Sequence, residues 1–126
     1  MKRILVLLFL LTMPLAAQQP KVTPLLSKDL TGIPGKEGTM ITVEFAPGEI
    51  DTPHRHNAQV FVYVLEGSVV MQVRGGKELT LRPGDTFYES PQDIHVVARN
   101  ASKTESAKFL VFFVKDKKAP FVMPVK

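Results

Sequence analysis

Polar and apolar residues alternate with a period of two along much of the chain after residue 38, which is the signature of strands with one buried face. Thr39–Phe45 alternates and is rich in β-branched residues. Val60–Leu65 is nearly continuous in apolar character and ends at Glu66-Gly67. Val69–Val73 and Glu78–Leu81 flank Arg74-Gly75-Gly76-Lys77, a hairpin turn. Arg82-Pro83-Gly84-Asp85 forms a second tight turn, with proline setting φ and glycine accepting positive φ. Thr86–Glu89, Ile94–Ala98 and Lys108–Val114 complete the set. No segment after residue 20 carries a helical period. Short strands separated by Gly and Pro turns predict an all-β sandwich or barrel.

The first residues follow another rule. Lys2 and Arg3 precede an unbroken apolar run, Ile4–Leu11, and Ala16-Ala17 then meets the polar Gln18-Gln19-Pro20. This is the layout of a signal peptide covering residues 1–17, and it predicts a periplasmic or secreted protein. The apolar run is shorter than the roughly 20 residues of a membrane span, so no membrane association is expected after cleavage. Residues 18–38, rich in Pro, Gly, Lys and Thr, read as an N-terminal arm with one short strand near Lys21–Leu26. Residues 39–115 read as the barrel and 116–126 as a C-terminal tail.

Charge adds little. Without Lys2 and Arg3 the formal balance falls from +4 to +2, and no nucleic-acid-binding motif is present. Lys115, Lys117 and Lys118 read as a solvated cluster. The chain has no cysteine, which excludes disulfides and thiolate ligands.

Histidine is the informative residue. The chain has three, His54, His56 and His95. His54 and His56 are two apart on an extended segment and so point to one side. His95 enters a separate strand after the Pro91-Gln92-Asp93 turn. Three imidazoles converging on one divalent ion is the reading that uses all of them. Imidazole suits Mn, Fe, Zn, Ni or Cu, and intrinsic affinity does not choose among these.

These residues resemble the cupin superfamily. Residues 48–67 are similar to its first motif, with Gly48, His54, His56 and Gly67, and residues 84–100 to its second, with Gly84, Pro91, His95 and Asn100. Phe61-Val62-Tyr63-Val64-Leu65-Glu66-Gly67 strengthens the likeness, which covers roughly Met40–Val114. The resemblance implies a single double-stranded β-helix (jelly roll), usually a homodimer, with a metal on the inner face held by residues matching His54, His56 and His95.

One position departs from that pattern. The family's spacing back from Gly67 places its glutamate ligand on Val60, and valine binds no metal. Gln59 becomes a fourth ligand if a one-residue bulge turns it inward. Otherwise it is an ordinary outward-facing polar residue. Spacing within the second motif is also shifted by a residue at several points. The expected centre is therefore three neutral imidazoles with open positions and no carboxylate.

Gln59, Val60 and Val62 are expected at a small-molecule pocket. Ala58 and Val64 share the histidine parity, and Met71 and Phe112 are candidates to join them. Glu44, Glu49, Glu66, Asp85, Glu89 and Asp93 lie at turns or strand ends and read as solvated. Tyr63 and Tyr88 read as packing residues, with ligand contact the alternative, and Arg55 should face away from the metal. The leading functional expectation is a metal-dependent enzyme, either a dioxygenase or a lyase or isomerase, acting on a small organic chelating substrate. The alternatives are a non-catalytic small-molecule or metal-binding module and a barrel whose metal is purely structural.

Overall fold

A computed structural model describes residues 19–126. The expected signal peptide, residues 1–17, lies outside the described residues. Ten strands and no helix occur among the described residues: β1 (Lys21–Asp29), β2 (Lys36–Phe45), β3 (His54–Arg55), β4 (Gln59–Glu66), β5 (Val69–Val73), β6 (Leu79–Leu81), β7 (Thr86–Glu89), β8 (His95–Asn100), β9 (Ala107–Asp116) and β10 (Met123–Pro124). They form two five-stranded antiparallel sheets, ordered β1-β2-β9-β4-β7 and β10-β3-β8-β5-β6. This is the expected all-β jelly roll.

Register explains the core. On the first sheet Val111 pairs with Ile41 on one side and Val62 on the other, so the three point inward as one row. Phe109 and Phe113 continue that face two residues either way, beside Val43 and Val60. Val69, Met71, Leu81 and Ala98 close the core from the second sheet. The opposite parity faces out. Phe112 pairs with Phe61 and packs on its ring at 6.3 Å, so Phe112 belongs to the outer surface and not to the pocket.

Three further expectations change. The strand in the N-terminal arm runs the full length Lys21–Asp29, paired antiparallel to β2. Pro24 is compatible because β1 is an edge strand, and the register slips between Pro24 and Leu26. At the other end, β10 pairs with β3, opposite His54 and Arg55. Lys115 is not solvated. It is 3% exposed, on the inward parity of β9, and its Nζ donates to Glu37 Oε1 at 2.5 Å and to the Ala119 carbonyl at 2.8 Å. The buried charge is therefore paired, as burial requires.

Two residues of the family motifs are structural. Asn100 Nδ2 donates to the carbonyls of Ala46 at 3.0 Å and Glu105 at 2.7 Å, while its Oδ1 accepts from Ser102 N at 2.9 Å. It ties together the loops that leave β2 and β8. Gly67 sits in the β4–β5 turn at φ +68° against the start of β9.

Candidate metal centre

The three histidines meet at one place because of local backbone chemistry and strand register. Thr52 precedes Pro53, which disfavours a helical conformation at Thr52 and keeps the approach to β3 extended. This segment runs antiparallel along β8: Ile50 bridges Arg99, Asp51 N donates to the Ala98 carbonyl at 2.8 Å, and His54 pairs directly with His95. Asn57, at φ +55°, ends the extended run just after His56. His54 and His95 are cross-strand partners with ring centroids 5.1 Å apart, and His54 and His56 lie 4.7 Å apart. One ligand atom from each histidine falls within 4.8 Å of the other two.

The hydrogen bonds fix which nitrogens face inward. His54 Nδ1 lies 2.7 Å from the Thr52 carbonyl, and His56 Nδ1 bonds the Phe121 carbonyl. A carbonyl oxygen only accepts, so both Nδ1 atoms carry hydrogen. In neutral rings both Nε2 atoms then present lone pairs, yet they stand 3.2 Å apart. Two lone pairs at that distance repel unless a proton or a cation lies between them. His95 is 4% exposed and neither of its ring nitrogens has a hydrogen-bond partner. Native interiors rarely leave such groups without a partner. The donor set, its pre-set tautomers and these unpaired nitrogens fit a divalent ion.

Among the acids expected to be solvated, Glu89 departs most from that expectation. It is 2% exposed, not solvated, and its carboxylate lies against the histidines. Oε2 is 3.5 Å from His56 Nε2, and Oε1 is 3.4 Å from His95 Nδ1 but out of line for a hydrogen bond. The expected carboxylate-free environment is thus corrected. The signal was present in β7, where Glu89 shares parity with Phe87, a residue packed against the core. Glu49 was also read as solvated, but it is 5% exposed and accepts from Ala46 N at 2.7 Å.

Gln59 does not turn inward. Its Oε1 accepts a hydrogen bond from the Tyr88 hydroxyl, and Tyr88 is 48% exposed. Val60 and Val62 line a cavity of about 90 Å³ that also contains the three histidines, Glu89 and Met71. The C-terminal segment closes one side of it with Phe121 and Val122. Tyr63, 46% exposed, lies on the outer face with Tyr88.

Charge in the cluster is divided unequally. Burial depresses His56, but its hydrogen bond to Glu89, the Glu89 charge, the Phe121 carbonyl and Asp51 together raise its pKa above 6.5. Burial would raise Glu89, but the hydrogen bond from His56 and the charges of the three histidines hold it below the usual carboxylate range. Burial lowers His95 to about 4 against a smaller opposing pull from Glu89, so its ring is neutral near pH 7. A metal needs neutral imidazoles. Metal uptake near pH 6.5 should therefore expel the His56 proton, and affinity should rise with pH until His56 has titrated, then level off. Calorimetry in buffers of different ionisation enthalpy reads the release directly: protons released per metal should be greatest at acidic pH and fall toward zero well above the His56 pKa. Release that does not change with pH would contradict this assignment.

Comparison with known proteins agrees with the geometry. The cupin domain family matches residues 41–113. The chain is 31% identical over 84 residues to the pectin degradation protein KdgF of Dickeya dadantii (strain 3937), covering 66% of this chain and 72% of that protein. A conserved double-stranded β-helix protein from Klebsiella pneumoniae subsp. pneumoniae superposes with a TM-score of 0.64 at 22% identity, over 86% of each chain. Oxalate oxidase in complex with the substrate analogue glycolate superposes with a TM-score of 0.61 at 27% identity, over 80% of this chain and 53% of that one. Family match and strand topology coincide over the segment that carries all three histidines, and the chain belongs to the cupin family.

Proposed function

We propose that the protein is an exported metal-dependent enzyme that acts on a small organic molecule chelating through oxygen. His54, His56 and His95 would hold the ion. The single observation behind this reading is the pair of Nε2 atoms 3.2 Å apart, each of which offers a lone pair when its ring is neutral, because its Nδ1 carries the hydrogen. A divalent ion bound there would polarise a ligand oxygen or lower the pKa of a bound water.

The chain's own residues define what such a ligand meets. Val60, Val62 and Met71 exclude water from one side of the cavity, and Phe121 and Val122 border it on another. Ring packing of Phe113 on His56 at 5.4 Å and of Phe87 on His95 at 5.7 Å holds the imidazoles in place. A space of about 90 Å³ suits a compact ligand of a few heavy atoms, in a mostly apolar setting. The oxalate oxidase of the comparison holds glycolate, a small chelating acid, which supports the same ligand class here. Export is supported by Lys2-Arg3, the apolar run Ile4–Leu11 and the small residues Ala16-Ala17. Homodimer formation is supported by an apolar strip on the outer face of the first sheet, where Phe61, Tyr63, Leu65 and Tyr88 are 40–49% exposed.

The test is a titration of Co(II)-loaded protein with α-hydroxy acids, catechols and β-diketones, followed by visible absorption with and without oxygen. Spectral change and turnover by at least one chelator are expected. Turnover that needs oxygen supports a dioxygenase, and turnover without it supports a lyase or isomerase. A metal-loaded protein whose spectrum no chelator alters would contradict the reading.

A further inference from the structure

Position 60, where cupins carry a glutamate, holds valine, and the nearest buried carboxylate is Glu89. The two residues are linked by register. Val60 on β4 and Glu89 on β7 are direct cross-strand partners, and both are buried, at 1% and 2% exposure. Facing partners in an antiparallel pair have Cβ atoms only about 4.5–5.5 Å apart, within the reach of a glutamate side chain. A carboxylate moved from one strand to its partner can therefore serve the same point in the interior. The short valine leaves room for the longer side chain beside it.

We propose that Glu89 is the fourth protein ligand of the metal centre, supplied by β7 in place of the family's glutamate on β4. The inference rests on the metal-site reading above. Two bonds of about 2.1 Å meeting at about 90–110° set ligand atoms about 3.0–3.4 Å apart. His54 Nε2 and His56 Nε2 are 3.2 Å apart, and Glu89 Oε2 is 3.5 Å from His56 Nε2. Glu89 Oε2 thus stands about as far from that inward nitrogen as a second ligand of the same ion would. The other oxygen, Oε1, is buried without a hydrogen-bond partner and lies 3.4 Å from His95 Nδ1. Glu89 is the carboxylate that both His56 and His95 contact among the described residues. The alternative fourth ligand, Gln59, is engaged outward by Tyr88. The centre is then a three-histidine, one-carboxylate site whose carboxylate arrives from the neighbouring strand.

The experiment compares Co(II) and Mn(II) binding to the wild-type chain, Glu89→Gln and the transposed pair Val60→Glu/Glu89→Val, by calorimetry and by Co(II) visible absorption. Removing a residue that only orients a ligand typically weakens metal binding about 10–100-fold, and loss of a direct ligand should exceed that. Glu89→Gln is expected to bind more than about 100-fold more weakly with altered Co(II) absorption, and the transposed pair to recover affinity to within about tenfold. A Glu89→Gln protein that retains the wild-type Co(II) spectrum overturns the proposal, whatever its affinity. Should Glu89→Gln fail to fold, the transposed pair decides: a wild-type-like Co(II) spectrum supports the proposal and failure to bind Co(II) overturns it. A wild-type chain that binds neither ion overturns the metal site itself and the role of Glu89 with it, an outcome distinct from loss of the Glu89 effect alone.

Discussion

Replacing His95 by alanine is expected to abolish stoichiometric metal binding while leaving a folded barrel. His95 is the ligand that joins the two motifs, and its strand partner is His54. Affinity should fall by more than the roughly 10–100-fold typical of residues that merely orient ligands. The fold should tolerate the change because two effects oppose each other. Truncation leaves a cavity, which destabilises. It also removes a buried ring whose two nitrogens have no hydrogen-bond partner, which offsets part of that cost. The net change in apo stability should stay below about 2 kcal/mol. The contrast appears when metal is added. A ligand at about 1,000 times its Kd stabilises a protein by about 4 kcal/mol, so the wild-type melting temperature should rise with metal and that of His95→Ala should not. Thermal denaturation with and without Mn(II) or Zn(II) makes the comparison. A variant that unfolds outright would indicate a purely structural metal.

Gly67→Ala should be the most damaging small substitution in the barrel. Two costs add. Gly67 has φ +68°, a left-handed conformation that costs an alanine about 1–2 kcal/mol. A Cβ there would also lie 2.5 Å from the Ser106 carbonyl oxygen and 2.9 Å from Ala107 Cα. Both are backbone atoms at the entry to β9, so neither can rotate away. The β4–β5 turn would have to part from β9, a strand shared by β2 and β4 in the first sheet. The expected loss is above about 3 kcal/mol, among the larger effects of single substitutions. Gly75→Ala is the control, since Gly75 has φ +83° and open space around its missing Cβ. It should cost only the conformational penalty, about 1–2 kcal/mol. Urea denaturation of the two variants separates steric conflict from backbone strain, and equal losses would contradict the role given to the Ser106 contact.

Much of the barrel is legible in the sequence because its signal is local. Alternation in Thr39–Phe45 and the apolar run Val60–Leu65 announce strands whose inner faces are buried, and β5 and β7 lie where the pattern places them. The His-x-His spacing is equally local. Phe112 and Phe113 adjoin and are both large and apolar, so composition does not say which faces inward. The register of β9 against β4 does. Glu89 illustrates the harder case. At a strand end before Ser90-Pro91 a glutamate is ordinarily solvated; parity with Phe87 points inward, and the pairing of β7 with β4 places it opposite Val60 inside the barrel. Lys115 is the same case: its partners are Glu37, directly opposite it on the neighbouring strand β2 but 78 residues away in sequence, and the Ala119 carbonyl of the C-terminal segment. Phe121 could not be connected with His56 by any local rule, being 65 residues away in sequence.

The measurement that tests the central claim most directly is elemental analysis of the protein purified without chelators from the compartment where it resides, beside His54→Ala/His56→Ala prepared identically. Close to one equivalent of a divalent transition metal per chain in the wild type, and none above background in the double variant, is the expected result. A folded wild-type protein with no metal near one equivalent, or a double variant with undiminished content, would contradict a metal centre built from His54, His56 and His95.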